Sequence, residues 1–164
     1  MITVTATVPE ELPHVPGLSP DNLEIIRNHP LASFHKLVSN LCLNLNVSKQ
    51  LDDFRALQDG WLEGEGVAPP TPGLDWLSEG FAQHFPWDLR PPYIYPTVAG
   101  GVQAEWSLGS NEVSLTIDLE SHFGEWHELD LETGAVHERR LNCDLTSHWV
   151  WLVSRLQSLD SDDA

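Results

Sequence analysis

The chain has 164 residues, of which 41% are hydrophobic and 7 are tryptophan, so it can bury a core of its own and is not a disordered segment. Its 25 Asp and Glu against 8 Lys and Arg give a formal net charge of −17 at pH 7. A charge of that size repels nucleic acids and anionic membrane surfaces and attracts basic proteins or cations. We therefore expect no direct binding to nucleic acid and no binding to membranes.

The first residues show no targeting signal. The stretch MITVTATVPEELPHVPG has no basic start, and no part of the chain approaches the about 18 apolar residues of a membrane span. Cys42 and Cys143 are the only cysteines, and both lie in or beside apolar stretches of helical type. That placement indicates buried thiols rather than a disulfide framework. Together these features predict a cytoplasmic protein.

The first half of the chain is predicted to be mainly helical. Residues 2–8, ITVTATV, alternate β-branched and small residues and predict an edge strand within an N-terminal strand and loop over residues 1–18. Residues 19–86 predict helices that begin or end at prolines. The following stretch, PWDLRPPYIYPTVAGG, holds too much proline for regular structure and predicts an extended connection.

Within the helical part, the stretch DGWLEGEG combines a tryptophan with three glycines. Gly60 ends the preceding helix, and Gly64 and Gly66 allow tight backbone turns. The stretch follows a helix rather than a strand, so it does not match a phosphate-binding glycine loop. We expect Trp61 to be an apolar plug against the core, with a ligand-binding loop as the alternative.

The second half predicts an antiparallel meander over residues 102–141. Alternating segments at residues 102–108, 112–120, 125–132 and 135–141 are joined by links of hairpin length. An apolar stripe then predicts a helix over residues 144–159, and its members are Leu145, Trp149, Leu152, Val153, Leu156 and Leu159. We predict one α+β domain over residues 1–164: an antiparallel β-meander of about four strands, with helices packed on one face and an acidic opposite face.

The two-residue period of the strands assigns their side chains to the two faces. On the third strand we place His127, Leu129 and Leu131 on the core face, which leaves Trp126 on the opposite face. That face then collects acids and no base, and it predicts a docking surface for a basic partner, with Trp126 as the aromatic anchor. The predicted contacts are Glu105, Asp118, Glu120, Trp126, Glu128, Asp130 and Glu132.

Catalytic signals are weak by comparison. The stretch SHFGEWHELD offers His122, Glu125 and His127 as ligands of a divalent metal, and such a site needs three convergent ligands. No HExxH or GxSxG motif is present, and carboxylates are too numerous for any pair to be informative. A histidine on an apolar strand face is more often a core residue than a ligand. We therefore predict no catalytic residue and no cofactor, and keep a metal-dependent enzyme or sensor as the alternative.

Two motifs carry a resemblance to a known group of proteins. The loop GWLEGEGVAPP and the strand start GGVQAEW resemble a widespread family of small uncharacterised bacterial proteins, and the resemblance covers residues 50–140. The matching residues are Gly60, Trp61, Gly64, Gly66, Pro69, Pro70, Pro96, Thr97, Gly100, Gly101, Glu105 and Trp106. The family implies no established activity, and the resemblance favours an inhibitor or accessory role.

These observations predict a non-enzymatic interaction protein of the antitoxin, immunity or anti-defence type. Its partner would be a basic protein, either a toxin or a nucleic-acid-binding protein whose groove the carboxylates fill in place of phosphates. The sequence leaves the oligomeric state open.

Overall fold

The computed structural model describes residues 47–161. The predicted strand at residues 2–8, the helices predicted before residue 47 and Cys42 lie outside the described residues. No helix within residues 47–161 has the length and hydropathy that a bilayer crossing requires.

The described part of the chain is an α+β fold built on a five-stranded antiparallel sheet, which confirms the predicted fold class. The strands lie side by side in chain order, and each hairpin pairs neighbours in sequence. Their bounds are β1 Tyr93–Pro96, β2 Val102–Leu108, β3 Asn111–Ile117, β4 Phe123–Asp130 and β5 Val136–Asn142.

The prediction of an irregular connection before β2 is wrong for its second half, because β1 forms there. Tyr93 pairs with Glu105 and Pro96 with Val102 along one side of the strand. Proline is tolerated because β1 is an edge strand, where half of the backbone N–H groups need no partner in the sheet. The meander therefore has five strands rather than about four.

Within residues 47–161 the helices are α1 over residues 47–54, α2 Thr71–His84 and α3 Thr146–Ser161. Proline stands in the first turn of α2, where its missing N–H costs no hydrogen bond. The buried side of α3 consists of Trp149, Leu152, Leu156 and Leu159, which confirms most of the predicted stripe. Two members differ: Leu145 lies before the helix and is exposed, and Val153 is half-buried at the margin of the core.

One face of the sheet packs against helices and forms the core. Trp106 of β2 lies between Phe85, which follows α2, and Trp126 of β4. Phe81 of α2 contacts Trp149 of α3 edge to face, at 5.3 Å between ring centroids. Aromatic contacts of this kind stabilise a core beyond the area that they bury. The core-facing residues of β2 and β3, predicted from the two-residue period, are buried as expected: Val102, Ala104, Trp106, Leu108, Val113, Leu115 and Ile117.

Trp61 does not reach this core, so the prediction of a plug against the core is wrong. The indole is half-buried, and its Nε1 donates to the Val67 carbonyl at 3.2 Å across its own loop. The ring lies against the Gly66 backbone, where a Cβ would stand only 2.7 Å from Nε1, and Gly66 has a φ of +93°. Trp61 therefore closes the loop that contains it.

Close packing of α2 against α3 explains why residue 80, inside α2, is a glycine. A Cβ at this position would lie 2.9 Å from Cζ2 of Trp149. That ring is held by contact with Phe81 and by a hydrogen bond from its Nε1 to the Cys143 carbonyl at 2.8 Å. The glycine lets α2 and α3 approach closely.

We predict that Gly80→Ala destabilises the protein by about 1–3 kcal/mol, because the added methyl group overpacks against Trp149. A glycine-to-alanine change inside an exposed helix would instead stabilise by about 0.5–1 kcal/mol. Urea unfolding measures the difference, with Glu79→Ala on the exposed side of the same helix as the control. A Gly80→Ala protein more stable than the wild type would show that α2 and α3 are not in close contact.

Candidate functional site

The sheet face that points away from the helices is the candidate site. Pairing between strands arranges its side chains in cross-strand rows. One row is Tyr95, Gln103, Thr116, Glu125 and Arg140, the next is Tyr93, Glu105, Ser114, His127 and Glu138, and the third is Ser107, Glu112, Leu129 and Val136. We call these residues the open face.

The open face carries more negative than positive charge. Its four carboxylates are Glu105, Glu112, Glu125 and Glu138, and its cation is Arg140, with His127 as a further titratable group. Arg140 lies over the Phe123 ring at 4.2 Å and 3.7 Å from the Glu125 carboxylate. The remaining glutamates leave the β2 and β3 part of the face negative.

Exposed apolar groups accompany this charge. Tyr93 is 69% exposed and Tyr95 48%, and both stand on β1 at one border of the open face. Val136 is 53% exposed at the opposite border. Between these borders lies a shallow depression of about 220 Å³ whose lining includes Glu105, Glu112, His127 and Leu129.

Trp126 and Glu128 are not on this face, and the prediction that placed them there is wrong. Trp126 is 2% exposed and Glu128 4%, because β4 pairs Trp126 with Leu115 and Glu128 with Val113. Both partners belong to the core side. His127, predicted on the core face, is consequently exposed. The whole of β4 is shifted by one residue relative to the predicted phase, which exchanges the two faces.

Side chains of α3 contact both inward-pointing residues, Trp126 and Glu128. Trp126 contacts the Trp151 ring of α3 edge to face at 5.5 Å. Arg155 of α3 donates from Nε and Nη2 to the Glu128 carboxylate, the former at 2.8 Å. The Trp126 indole lies near the Glu128 carboxylate and favours its charged form. Its N–H nevertheless makes no hydrogen bond of normal geometry with a described residue.

The pKa of Glu128 reflects this pairing. Burial by itself raises the pKa of the carboxyl group, but the hydrogen bonds and the charge of Arg155 outweigh that effect. The pKa therefore lies below its ordinary value. A buried carboxylate of this kind depends on its partner, since an unpaired charge in the interior is costly.

We predict that Arg155→Met destabilises the protein by about 3 kcal/mol at pH 7, because Glu128 is left buried without its cation. The double variant Glu128→Leu/Arg155→Met recovers most of that loss. Urea unfolding of the wild type, these two variants and Glu128→Leu completes a double-mutant cycle, which gives the interaction free energy of the pair. Equal stabilities for Arg155→Met and the double variant would contradict the pairing.

The pH dependence of the same cycle has a definite sign. The pKa of Glu128 is depressed in the folded state, so the stabilisation from the ion pair is complete above the unfolded pKa and is lost as the pH falls through the folded pKa. Without its cation, buried Glu128 of Arg155→Met has a raised pKa and loses its charge first, so the gap in unfolding free energy between wild type and variant should narrow as the pH falls through that raised pKa. It should narrow further below about 4, where the wild type loses the ion pair. A gap that stays constant down to pH 3 would contradict the depressed pKa.

Other predicted contacts lie in turns rather than on strands. Asp118 follows β3 and accepts hydrogen bonds from the backbone N–H and the hydroxyl of Ser121, at 2.7 and 2.9 Å, and from the Glu120 N–H. These bonds, the Ser121 N–H first, lower the pKa of Asp118. Glu120 is exposed in the same turn. Asp118 therefore has a structural role in the β3–β4 turn.

Asp130 has the corresponding role between β4 and β5. It accepts from the Thr133 hydroxyl at 2.8 Å and from the backbone N–H groups of Glu132 and Thr133, and these bonds lower its pKa. Asp130 and Glu132 border a polar cleft of about 450 Å³ that also contains Glu128, His137 and Arg155. This cleft lies on the helix side of the sheet, so of the predicted contacts only Glu105 stands on the open face.

The predicted metal ligands are not brought together. His122 Nδ1 lies 2.8 Å from Asp144, and its ring stacks on Trp76 at 3.8 Å between centroids. Glu125 and His127 are strand residues engaged with Arg140 and Glu138. Within residues 47–161, no group of three or more His, Cys, Asp or Glu side chains is placed to hold a metal ion.

Several open-face residues escaped the sequence analysis, namely Tyr93, Tyr95, Glu112, Glu125 and Glu138. Local periodicity holds no signal for the β4 residues, because the apolar residues Phe123 and Leu129 lie on the same side of the strand as Glu125. No model of a known protein family matches the chain, and no curated protein or solved structure matches it. The resemblance based on the GWLEGEGVAPP and GGVQAEW motifs stays a prediction.

Proposed function

We propose that the chain is a non-enzymatic interaction protein that docks its open face on a basic protein. The partner would be a toxin or a nucleic-acid-binding protein, which makes this chain an antitoxin, immunity or anti-defence protein. One observation supports the proposal above the others: exposed tyrosines share one sheet face with four glutamates, in rows that cross the five strands. Glu105 is half-buried, and Glu112, Glu125 and Glu138 are exposed.

The tyrosines and the glutamates have different parts in this proposal. Tyrosine side chains bury a large area with little loss of conformational freedom, so Tyr93 and Tyr95 are the proposed anchors. They replace Trp126, which is unavailable in the core. Carboxylates contribute through the rate of encounter and the choice of partner, since a negative face steers a positive one towards it.

The proposed chemistry of the partner rests on two carboxylates that lie on neighbouring strands. Glu105 and Glu112 stand on neighbouring strands at the shallow depression, with Leu129 beside them. A groove that binds nucleic acid presents Lys and Arg to the phosphates, and in this proposal the two neighbouring glutamates take the place of phosphates there. The chain would thereby compete with nucleic acid for its partner rather than bind nucleic acid itself.

The test begins with capture from the native host's lysate at low salt, elution with a salt gradient and identification by mass spectrometry. The purified captured protein is then titrated with wild type and with Glu105→Lys/Glu112→Lys. We predict at least about tenfold weaker binding for this double reversal, because it turns attraction into repulsion at the contact. Tyr93→Ser/Tyr95→Ser should weaken binding by a similar factor without changing its salt dependence.

The matched control is Asp53→Lys/Glu79→Lys. It changes the net charge by the same amount, and both side chains are exposed on α1 and α2, away from the open face. Equal weakening by the two reversals would mean that only the overall charge matters. Binding that is unchanged by both reversals would contradict the proposal. It would mean that the acidic residues serve only to keep the protein soluble.

A further inference from the structure

The two edge strands of the sheet, β1 and β5, differ in how far they are protected from pairing with a further strand. At β1, the Gln50 side chain of α1 accepts from the Ile94 N–H at 2.9 Å and donates to the Pro92 carbonyl at 3.5 Å. Pro96 closes the far end of the same four-residue strand. Short length, proline and a covering side chain are the ordinary ways of preventing a further strand from pairing.

The edge strand β5 lacks these protective features. It has seven residues, no proline, and no strand partner on its outer side within residues 47–161. The Ala135 carbonyl and the Cys143 N–H bond towards β4, and backbone groups alternate in direction along a strand. The N–H and C=O groups of Val136, Glu138 and Arg140 therefore point outward from the sheet.

The side chains along this edge complement a second copy of themselves. Glu138 and Arg140 are adjacent on the open face, with side chains 75% and 65% exposed. In an antiparallel pair of β5 strands centred on Arg139, each Glu138 lies opposite the other copy's Arg140. A pair centred on Glu138 would instead place two glutamates opposite each other, and like charges in that position are destabilising.

We propose that β5 is a homodimer interface, in which two copies of the chain join their sheets through antiparallel β5 strands centred on Arg139. The pairs Glu138–Arg140 and Arg140–Glu138 each exchange two backbone hydrogen bonds, about four in all. The joined sheet has the open faces of both copies on the same side, so two docking faces become available to one partner or to two.

The local charge of β5 favours a second copy at this edge. Two molecules of net charge −17 repel, and contact is least unfavourable where the local charge is not negative. β5 has one acid and two arginines. The two Arg139 residues lie opposite each other at the centre of this register, on the helix side of the sheet. Each guanidinium lies over the Trp151 ring of its own copy at 4.3 Å, which turns it away from the edge and from the other arginine.

The test exchanges the charges of residues 138 and 140 and measures the mass of the full chain by sedimentation over about 1–200 µM. Physiological salt is used, so that exposed charges act over about 8 Å. The wild type should reach twice the monomer mass of 18.4 kDa. Glu138→Arg and Arg140→Glu should each weaken self-association by at least about tenfold, since each places like charges opposite each other. Mixing the two single variants should restore a dimer with one copy of each.

Two further variants complete the design. The double exchange Glu138→Arg/Arg140→Glu should self-associate as the wild type does, and Glu132→Arg, in the adjacent turn, should leave the dimer unchanged. Restored association on mixing also shows that both single variants are folded. A wild type that is monomeric throughout, or single variants that dimerise as well as the wild type, or a mixture that stays monomeric, would each overturn the proposal. None of these outcomes bears on partner binding, which is measured separately.

Discussion

The packing of Trp126 between Trp106 and Trp151 determines what the rest of the sheet presents to solvent. The three rings form a continuous contact from β2 through β4 to α3, with centroids 6.4 and 5.5 Å apart. Because side chains alternate strictly along a strand, one buried residue fixes the direction of every other residue of β4. Glu128 must then lie inside, and Glu125, His127 and Leu129 must lie outside.

The buried ion pair is a consequence of this constraint rather than its cause. A carboxylate in the interior costs free energy, and a pair such as Glu128–Arg155 seldom stabilises more than hydrophobic residues of the same size would. Its effect is on orientation, because Arg155 ties one flank of α3 to β4. The same orientation brings Glu125 to the open face, so the core packing and the surface charge depend on one register.

The sequence was sufficient where a strand has a single apolar side. β2 and β3 alternate without ambiguity, and their core residues and Glu105 follow directly. β4 offers apolar groups on both sides, Phe123 and Leu129 on one and Trp126 on the other, so its local pattern favoured neither phase. The choice is made by tertiary partners on α3, more than 20 residues later in the chain, which local periodicity does not contain. β1 was missed for a related reason, since its one proline, Pro96, is acceptable only at an edge that no local pattern identifies.

The direction of β4 can be measured by thiol labelling, at pH 7.5, of variants that each add one cysteine to a Cys42→Ser background. Burial, with a smaller effect from Asp144, raises the pKa of Cys143 to about 11, so this thiol reacts little under those conditions. His127→Cys should label as fast as Ser114→Cys, its neighbour on the open face, while Leu115→Cys should be protected. If His127→Cys is as protected as Leu115→Cys, then β4 has the opposite phase, and both the ion pair and the open face assigned here are wrong.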